Sequence, residues 1–290
     1  MLESSLEFLR CVRCDTRLDL DIFKFDEEIQ EGFLECKKCK LIFPIIEKIP
    51  ILWDDFSRYL STHKILGGEL YQSSVTEKMK LYLKSSLSKT TQTSEDRSSL
   101  ETRWSQIYQN SQKSKFYSTI KKNLDSMPRT KLALEYGCSI GTITSFMADS
   151  HDMVFGIDKS FSALTYAKKS SKKNLDYVIA DSFSPIFGKL QFSLILALNV
   201  LELMEPVELI KQISKQISAG YVVISDPYDF DRGVNSVRKP VDESALRKNL
   251  ENMGFRISSK TKKPCHIPWN LKLNPRATLN YKVDLIIGKK

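Results

Sequence analysis

The sequence predicts an α/β fold: a mostly parallel sheet of seven strands with helices between them, preceded by a small domain built around cysteines. Two observations support this prediction. From Lys131 onward, short apolar runs alternate with helical patterns, which is typical of a mainly parallel sheet. Near the N-terminus, four of the six cysteines lie in two C-x-x-C pairs. With 290 residues and 41% hydrophobic content, the chain is long enough for one large and one small domain.

Seven apolar runs are the strand candidates. They cover residues 132–135, 154–157, 177–180, 192–198, 221–224, 255–258 and 281–287. Helical patterns separate the runs, beginning near Ile140, Ser160, Pro206 and Asp242. Asp242 is a candidate N-cap, and Gly254 is a candidate stop for the same helix. The apolar spacing from Trp104 to about Leu124 also predicts helix, leading into the α/β domain.

Composition divides the chain into three parts. Residues 1–54 contain the cysteine pairs and end in apolar segments, for which we expect short strands. Residues 55–103 form an expected linker, partly helical, because Ser, Thr and Lys gather at 85–99 after an amphipathic stretch near 75–83. Residues 104–290 form the α/β domain.

The charge is unevenly placed. Residues 1–54 hold 8 Lys and Arg against 12 Asp and Glu, so this part is −4 and the remainder is +13 within a total of +9. A basic remainder permits nucleic-acid or acidic-protein partners, but it equally describes a lysine-rich surface. The lysine pairs at 168–169 and 172–173 favour a solvated helix end over an RNA site.

The sequence favours a soluble, cytoplasmic protein with no membrane contact. No run of eighteen apolar residues occurs, and residues 1–10 lack the basic start and the uninterrupted apolar core of an export signal. Paired C-x-x-C motifs are also typical of metal sites in reducing compartments.

The cysteine pairs predict one structural zinc ion. Thiolates bind zinc tetrahedrally, and two C-x-x-C knuckles separated by 21 residues can present four sulfurs, from Cys11, Cys14, Cys36 and Cys39. Four incidental buried cysteines are the alternative interpretation, and a redox C-x-x-C would not need a second copy. Cys138 and Cys265 are expected to be free thiols.

The segments LRCVRC and GFLECKKCKLIFPIIEKIPIL resemble the zinc-ribbon activator subunit of tRNA and release-factor methyltransferases. The resemblance covers roughly residues 1–54. It implies that the ribbon stabilises a catalytic partner and that no chemistry takes place at the zinc, since four cysteine ligands leave no open coordination position.

A second motif lies where the first strand of the α/β domain meets a helix. Glu135 ends that strand, and Gly137 and Gly141 form a turn in which the backbone can approach a ligand at a helix N-terminus. Asp158 closes the next strand, where a carboxylate can accept both hydroxyls of a ribose, and Asp181 closes the following one.

This series of acids at successive strand ends resembles class I S-adenosylmethionine-dependent methyltransferases over about residues 104–290. The resemblance implies a Rossmann-like sheet with an antiparallel C-terminal hairpin. It also implies S-adenosylmethionine as cofactor, with the methionine end at Glu135 and the turn, the ribose at Asp158, and the adenine at Asp181. The implied cofactor residues are Glu135, Gly137, Cys138, Gly141, Asp158, Asp181, Ser182, Phe183 and Asn199. Ser139 departs from the family's commonest glycine triplet. Nicotinamide binding is disfavoured because G-x-G-x-x-G is absent, and a non-binding Rossmann domain is the remaining alternative.

The methyl acceptor should lie beyond the ends of the fourth and fifth strands. The segments ALNVLELMEP and SDPY and the tail from His266 resemble imidazole-directed N-methyltransferases of the ovothiol-biosynthesis and protein-histidine types. The candidate catalytic residues are Asn199, Asp226 and Tyr228, with Trp269 and Arg276 closing the pocket. Asn199 as a helix cap, Asp226-Pro227 as a plain turn and Trp269 as a core residue are the competing interpretations.

Three functions remain open at this point. The first is N-methylation of a small molecule or a protein side chain, with imidazole as one acceptor. The second is methylation of tRNA or rRNA, suggested by the ribbon and the +13 remainder. The third is a non-enzymatic partner that uses its ribbon to stabilise another protein.

Overall fold

The protein is described by a computed structural model that covers residues 1–91, 96–231, 233 and 236–290. Its contacts divide the chain into two compact units. The first comprises Met1–Gln106, Ser139–Gly141 and Ile157–Gly188, and the second comprises Ile107–Cys138, Thr142–Gly156 and Lys189–Lys290. These units are defined by contacts, whereas the three parts above are defined by composition, so the three-part division stays a prediction.

The first unit begins with a small antiparallel sheet in the order β1-β2-β3-β4. Its strands are β1 (Asp19–Asp26), β2 (Glu28–Cys36), β3 (Leu41–Ile46) and β4 (Ile49–Pro50). Glu47 and Lys48 join β3 to β4 with φ angles of 50° and 69°, both in the left-handed region that tight hairpins need. Leu34, Phe43 and Ile45 are fully buried and form the core of this sheet.

Helices occupy most of the segment expected as a linker. They are α1 (Phe56–Ser61), α2 (Lys64–Ser73), α3 (Glu77–Leu87) and α4 (Ser98–Ser111). In α3, Met79 and Leu83 lie four residues apart on one face and are fully buried. The Glu31 carboxylate of β2 accepts a hydrogen bond of 2.9 Å from Thr76 N just before α3. This segment is therefore packed structure, although residues 92–95 lie outside the described part.

Among the four lysines interpreted as a solvated helix end, Lys168 is buried, whereas Lys169 and Lys173 are exposed. Lys168 is only 8% exposed, and its Nζ contacts Glu28 Oε2 at 2.5 Å and Asp176 Oδ1 at 2.7 Å. Asp176 also accepts from Ser5 Oγ at 2.7 Å. The two carboxylates and their hydrogen bonds compensate for burying the ammonium group. Counting charges along the sequence does not reveal these contacts.

The same unit includes a short connection between the small sheet and the strand β7 (Leu175–Ile179). Ile51, directly after β4, forms a parallel bridge with Ile179, and Leu52 N donates to Ile179 O at 2.8 Å. The small sheet therefore continues, through one bridge, into a strand of the larger sheet.

The larger sheet has the order β10-β12-β9-β8-β5-β6-β7, with β11 paired to β12. Its strands are β5 (Leu132–Tyr136), β6 (Met153–Asp158), β7, β8 (Leu194–Leu198), β9 (Tyr221–Asp226), β10 (Arg256–Ile257), β11 (Ile267–Asn274) and β12 (Ala277–Lys289). β8 is parallel to β5 and β9, whereas β12 is antiparallel to β9. This arrangement confirms the mostly parallel Rossmann-like sheet with an antiparallel C-terminal hairpin.

The strand β11 was not among the seven sequence candidates, and it forms the C-terminal hairpin with β12. Its side chains alternate between buried and exposed from Ile267 to Lys272, which is the period of a half-buried strand. Pro268 is tolerated because, among the residues that the structure describes, β11 pairs with β12 and no second strand, so the missing N–H of Pro268 costs no further strand pairing.

The helices of the α/β part begin near the predicted starts. They are α5 (Lys115–Asp125), α6 (Thr142–Met147), α7 (Phe161–Ala167), α8 (Pro206–Gln216) and α9 (Glu243–Asn252). Asp242 caps α9 as expected, because its carboxylate accepts from Ala245 N at 2.7 Å. In the part of the chain that the structure describes, no helix is long and apolar enough to cross a membrane.

Candidate functional site

Four cysteines of the first unit meet at one point. The sulfurs of Cys11, Cys14, Cys36 and Cys39 all lie within 4.8 Å of one another. A zinc ion with Zn–S bonds of about 2.3 Å needs sulfurs about 3.8 Å apart, so the cluster fits a tetrahedral thiolate site. Cys11 and Cys36 are buried at 0% and 1% exposure, and the donor set leaves no ligand position for a substrate.

The two cysteine knuckles have matching backbone geometry. Asp15 and Lys40, each directly after the second cysteine of a pair, have φ angles of 59° and 58°. Their N–H groups donate to the first cysteine's carbonyl, Asp15 to Cys11 at 3.0 Å and Lys40 to Cys36 at 2.8 Å. This repeat turns both sulfurs of each pair to one side, which is what a shared metal requires.

In the first unit, the predicted ribose acid Asp158 is held by two backbone N–H groups. Its Oδ2 accepts from Ser139 N at 2.8 Å, and its Oδ1 accepts from Ser160 N at 2.9 Å. Burial raises the pKa of the Asp158 carboxyl and the charge of Glu101 adds to the rise, while both N–H groups oppose it. Each oxygen keeps a second lone pair with which it can accept a hydroxyl group.

The departure at Ser139 is resolved by this contact. Ser139 has a φ of 48°, a left-handed conformation for which glycine is the usual residue, and its hydrogen bond to Asp158 compensates for the strain. Gly141 cannot be replaced, since its φ is 71° and an added Cβ would lie 2.3 Å from the hydroxyl of Tyr177. The turn thus has the close backbone packing that the motif predicted.

Asp181, Ser182 and Phe183 follow β7 in the first unit. Asp181 Oδ1 accepts from Phe183 N at 2.8 Å, a local turn that holds the carboxylate in place. The Phe183 ring is 42% exposed, which is unusual for a side chain of this size. The three residues therefore offer a carboxylate and an open aromatic face at one strand end.

A cavity of about 310 Å³ in the first unit lies between helices that the sequence did not connect with the site. Its lining includes His63, Glu101, Thr102 and Ser162. His63 Nε2 lies 3.1 Å from Glu101 Oε1, and Thr102 and Ser162 hydroxyls are 2.9 Å apart. Since the charge of Glu101 also raises the pKa of Asp158, α4 belongs to the electrostatic surroundings of Asp158.

In the second unit, Glu135 lies at the end of β5 and is 4% exposed. Its carboxylate accepts a hydrogen bond from the Thr144 hydroxyl. Gly137 has a φ of 63°, and an added Cβ would lie 2.3 Å from Val200 Cγ1, so only glycine fits. Cys138 is buried at 5% exposure.

Asn199 directly follows β8 and is fixed by the end of β9. Its N–H donates to Ser225 O at 2.7 Å, and its Oδ1 accepts from Ser225 Oγ at 2.9 Å. The backbone is left-handed, with a φ of 54°, a conformation that asparagine tolerates better than most residues. These bonds fix the amide at the carboxyl end of the strand, which the capping interpretation does not explain.

Asp226 ends β9 and forms a buried acid pair with Glu202. The two residues are 1% and 4% exposed. Asp226 accepts from Leu201 N at 3.0 Å and from Tyr228 N at 2.8 Å. Burial and the neighbouring Glu202 carboxyl raise the pKa of Asp226 well above its ordinary value, while the N–H groups of Tyr228 and Leu201 oppose the rise.

The Tyr228 hydroxyl donates to Asp284 Oδ2 at 3.0 Å. The Asp284 carboxylate also accepts hydrogen bonds from Arg247, whose Nη1 lies at 2.7 Å and Nη2 at 3.0 Å, and from Cys265 N at 2.9 Å. Burial and Asp284 raise the pKa of Tyr228, so its phenol is no base. With a φ of 55°, Tyr228 is held in a strained loop by this contact, which suits a positioning role.

The structure does not bring Trp269 and Arg276 together. Trp269 lies opposite Tyr281 in the hairpin, with ring centroids 5.7 Å apart, and Tyr108 stacks on it at 6.0 Å. Arg276 lies exposed at the connection of β11 and β12, about 20 Å farther along the hairpin. Trp269 is therefore part of an aromatic cluster, and Arg276 is at the hairpin tip.

The sequence did not identify three residues of this region as candidates: Glu202, Asp284 and Arg247. For Asp284 a signal existed, because an acid inside the apolar run of β12 must be buried and paired. For Glu202 and Arg247 no comparable pattern is present, since each lies in a segment where polar residues are common.

Two families match the chain. Residues 4–47 match the family described as Trm112p-like protein, and residues 134–224 match a methyltransferase domain. No curated protein matches the chain. These family matches confirm the expected N-terminal ribbon resemblance and the expected S-adenosylmethionine-dependent methyltransferase domain.

One solved structure with a TM-score above 0.5 shows the same fold, and two others are similar at lower TM-scores. The complex of the Haloferax volcanii Trm112 methyltransferase activator with a protein assigned as a methyltransferase is 12% identical, covers 66% of this chain and 94% of that chain, and has a TM-score of 0.52. Magnesium protoporphyrin IX methyltransferase from Synechocystis PCC 6803 is 14% identical over 67% of this chain and 95% of that chain, with a TM-score of 0.46. The N-methyltransferase NodS from Bradyrhizobium japonicum WM9 is 18% identical over 59% and 93%, with a TM-score of 0.47.

The matched ranges agree with the geometry: the Trm112p-like range contains the four-cysteine cluster, and the methyltransferase range contains the glycine turn, Asp158 and Asp181. The chain therefore carries a methyltransferase domain that matches over residues 134–224 and a Trm112p-like region that matches over residues 4–47.

Proposed function

We propose that this enzyme methylates a neutral nitrogen of a small molecule or a protein side chain, with imidazole as the favoured acceptor. The observation that supports this most is the fixed amide of Asn199 at the carboxyl end of β8. Ser225 uses one lone pair of Asn199 Oδ1, and the second lone pair can accept the N–H of a neutral imidazole. The other ring nitrogen is then left with its lone pair toward the methyl donor.

The protonation of the neighbouring groups favours a nitrogen acceptor over a hydroxyl acceptor. A hydroxyl group needs a base to take its proton, whereas a neutral imidazole attacks with an existing lone pair. Burial and Glu202 raise the pKa of Asp226, and burial and Asp284 raise the pKa of Tyr228, so both groups are shifted toward their protonated forms. After transfer, the methylated ring loses its N–H proton to solvent.

S-adenosylmethionine supplies an electrophilic methyl group on a sulfonium centre. In the first unit, we assign Asp158 to the ribose hydroxyls, because both of its oxygens keep a free lone pair beside one N–H bond. Asp181, Ser182 and Phe183 are assigned to the adenine, with the exposed ring of Phe183 as the stacking face.

In the second unit, we assign Glu135, Gly137 and Cys138 to the methionine end of the cofactor. Gly137 allows the backbone to approach a ligand, and Glu135 is a buried carboxylate that an ammonium group can balance. In this proposal Asn199 contacts both the cofactor and the methyl acceptor, because it directly follows β8, which lies beside β5 in the sheet order.

The aromatic cluster of the second unit supports a flat acceptor. Asp284 lies opposite Asp226, so Tyr281 and Trp269 lie about 10 Å beyond the carboxyl end of β9. Trp269 is 4% exposed, and its Nε1 has no hydrogen-bond partner among the described residues. Ligands of α/β sheets bind at this edge, and a planar ring can stack there.

We assign a scaffold role to the ribbon. The domain division that accompanies this proposal is a zinc ribbon at residues 1–54, a partly helical connection at 55–103 and the catalytic domain at 104–290. A closed four-thiolate site holds zinc without an open position, so the metal stabilises the fold and takes no part in methyl transfer.

The acceptor class is identified by incubating the enzyme with S-adenosylmethionine labelled in its methyl group and whole-cell extract, then separating RNA, protein and metabolites. Label on imidazole nitrogens supports the proposal. Label on RNA would instead favour the second function, which the +13 charge of residues 55–290 motivates. Methylated lysine or glutamine would reject imidazole.

A variant at Asn199 tests the orienting role. Asn199→Ala should leave cofactor affinity nearly unchanged while slowing methyl transfer at saturating acceptor, because positioning in the transition state is lost. With imidazole as acceptor, the rate should also fall below about pH 6.5, where protonation removes the lone pair. An unchanged rate in Asn199→Ala would exclude Asn199 from orientation.

A further inference from the structure

The second unit has a cavity of about 400 Å³ away from the strand ends that the methyltransferase uses. It is lined by the start of β9 at Tyr221, by β10, by the end of β12 and by the turn after α5. Tyr221 begins β9 and Asp226 ends it, so the cavity lies about 17 Å from the acceptor edge, at the opposite end of the strand.

Cations dominate the polar lining of this cavity. Arg256, Lys260 and Lys289 all line it, and all three are exposed. None of its lining residues in the described ranges is an aspartate or a glutamate. Lys289 is 5.3 Å from the ring of Tyr221, and neither Arg256 nor Lys260 has an ion pair among the residues that the structure describes. Three positive charges therefore share one concave surface without a counter-charge.

The strand register places two of these cations directly opposite each other. Arg256 of β10 pairs with Lys289 of β12, and Lys289 pairs with Tyr221 of β9. Directly paired residues of antiparallel strands project from the same face, and like charges in such a pair destabilise the sheet. Arg256 and Lys289 are therefore a like-charged pair, which an anion bound between them would stabilise.

The remaining lining gives the chemical class of the anion. Met127, Pro128 and Ile257 form an apolar wall beside the cations, and the Ser126 and Ser258 hydroxyl groups add polar contacts. A phosphate group needs several converging donors, and the ring attached to it can lie on the apolar wall. A cavity of about 400 Å³ is large enough for one nucleotide.

We propose that this cavity is a second ligand site that binds a phosphate group, with Arg256, Lys260 and Lys289 as its cationic contacts. The phosphate is either part of a nucleotide in an RNA strand or free in solution. This inference does not depend on the identity of the methyl acceptor, because the cavity and the strand ends of the proposed acceptor site lie at opposite ends of β9.

The test measures binding of two probes, inorganic phosphate and a labelled single-stranded RNA of about twelve nucleotides, at several salt concentrations. The variant Arg256→Gln/Lys260→Gln/Lys289→Gln removes three charges and keeps side-chain length. The matched control Lys113→Gln/Lys169→Gln/Lys173→Gln removes three exposed charges outside the cavity. Both variants are first compared with the wild type by thermal unfolding.

For RNA as the source of the phosphate, we expect the slope of log affinity against log salt to shrink by about 0.7 in the cavity variant, since the cavity neutralises one phosphate. For free phosphate as the source, we expect at least a tenfold loss of phosphate affinity with RNA binding unchanged. The control variant should leave the affected probe nearly unaltered in either case. Equal losses in both variants, or no binding of either probe to the wild type, would overturn the proposal.

A second measurement does not require a ligand. Arg256→Gln alone should raise the melting temperature at low salt, because it removes the repulsion across β10 and β12, and the gain should vanish at high salt. Phosphate should raise the melting temperature of the wild type more than that of Arg256→Gln. A melting temperature that Arg256→Gln lowers at low salt would contradict the unneutralised pair.

Discussion

The buried charge pair of Asp284 and Arg247 allows a quantitative prediction. Asp284 is 2% exposed and Arg247 is 7% exposed. Replacing Asp284 by Asn keeps the volume of the side chain but removes the charge that balances the guanidinium. Removing one partner of a buried ion pair costs about 3 to 5 kcal/mol, because the other charge stays buried without compensation.

Counting the hydrogen bonds gives a similar magnitude. Asp284 accepts four: two from Arg247 at 2.7 and 3.0 Å, one from the Tyr228 hydroxyl at 3.0 Å and one from Cys265 N at 2.9 Å. An asparagine oxygen accepts two, so two donors lose their acceptor. Each buried donor left unpaired costs about 1 to 3 kcal/mol, which gives a total of about 2 to 6 kcal/mol.

Urea unfolding followed by circular dichroism measures this loss as a lower midpoint at unchanged slope. The control is Asp152→Asn, which breaks the exposed pair of Asp152 with Arg129, whose side chains are 48% and 72% exposed. That control should cost less than about 1 kcal/mol. The reasoning fails if the two variants lose the same stability. The double variant Asp284→Leu/Arg247→Met should lose less than Asp284→Asn, since no buried charge remains.

Three further predictions concern the metal, the cofactor and pH. Purified protein should contain about one zinc per chain, and Cys36→Ala should lose it and destabilise the small sheet, whereas Cys138→Ala should keep it; a metal-free protein with a fully folded ribbon would contradict the zinc site. Asp158→Ala should weaken S-adenosylmethionine binding by about 2 to 3 kcal/mol in calorimetry, and unchanged affinity would place the ribose elsewhere. Because the folded-state pKa of Asp226 is raised, its contribution to stability is complete below the ordinary pKa of an aspartate and is lost as the pH rises through the raised value. In Glu202→Gln, the amide can donate a hydrogen bond to Asp226 but does not titrate, so this variant should lose less stability as the pH rises. Identical profiles of stability against pH for Glu202→Gln and the wild type would count against the acid pair.

The sheet was predictable because its strands are nearly continuous apolar runs. β8 is buried at every position, and β5 and β7 are too, so periodicity and length alone identify them. β11 was missed because half of its residues are polar and it includes a proline, which together look like a loop. The helices α1 to α4 were underestimated, since their stability comes from packing on partners such as Glu31 that lie far away in the chain.

The candidate site also contains residues that the sequence predicts and residues whose roles it does not predict. Gly137, Gly141, Asp158 and the four cysteines follow from local motifs, because spacing along the chain determines where they meet. The role of Tyr228 did not follow, since its hydroxyl contacts Asp284, 56 residues later. Contacts over such separations depend on strand order, and a single sequence has no local signal for them.

The bridge between Ile51 and Ile179 has a consequence for solubility. β7 is the last strand in the order of the large sheet, so one side of it has no further strand of that sheet. An open strand edge can pair with a strand of another molecule. At this edge, Leu52 N already donates a hydrogen bond to Ile179 O. The residues directly after β4 therefore cover part of the β7 edge. A chain without residues 1–54 should scatter light and form oligomers where the full chain does not.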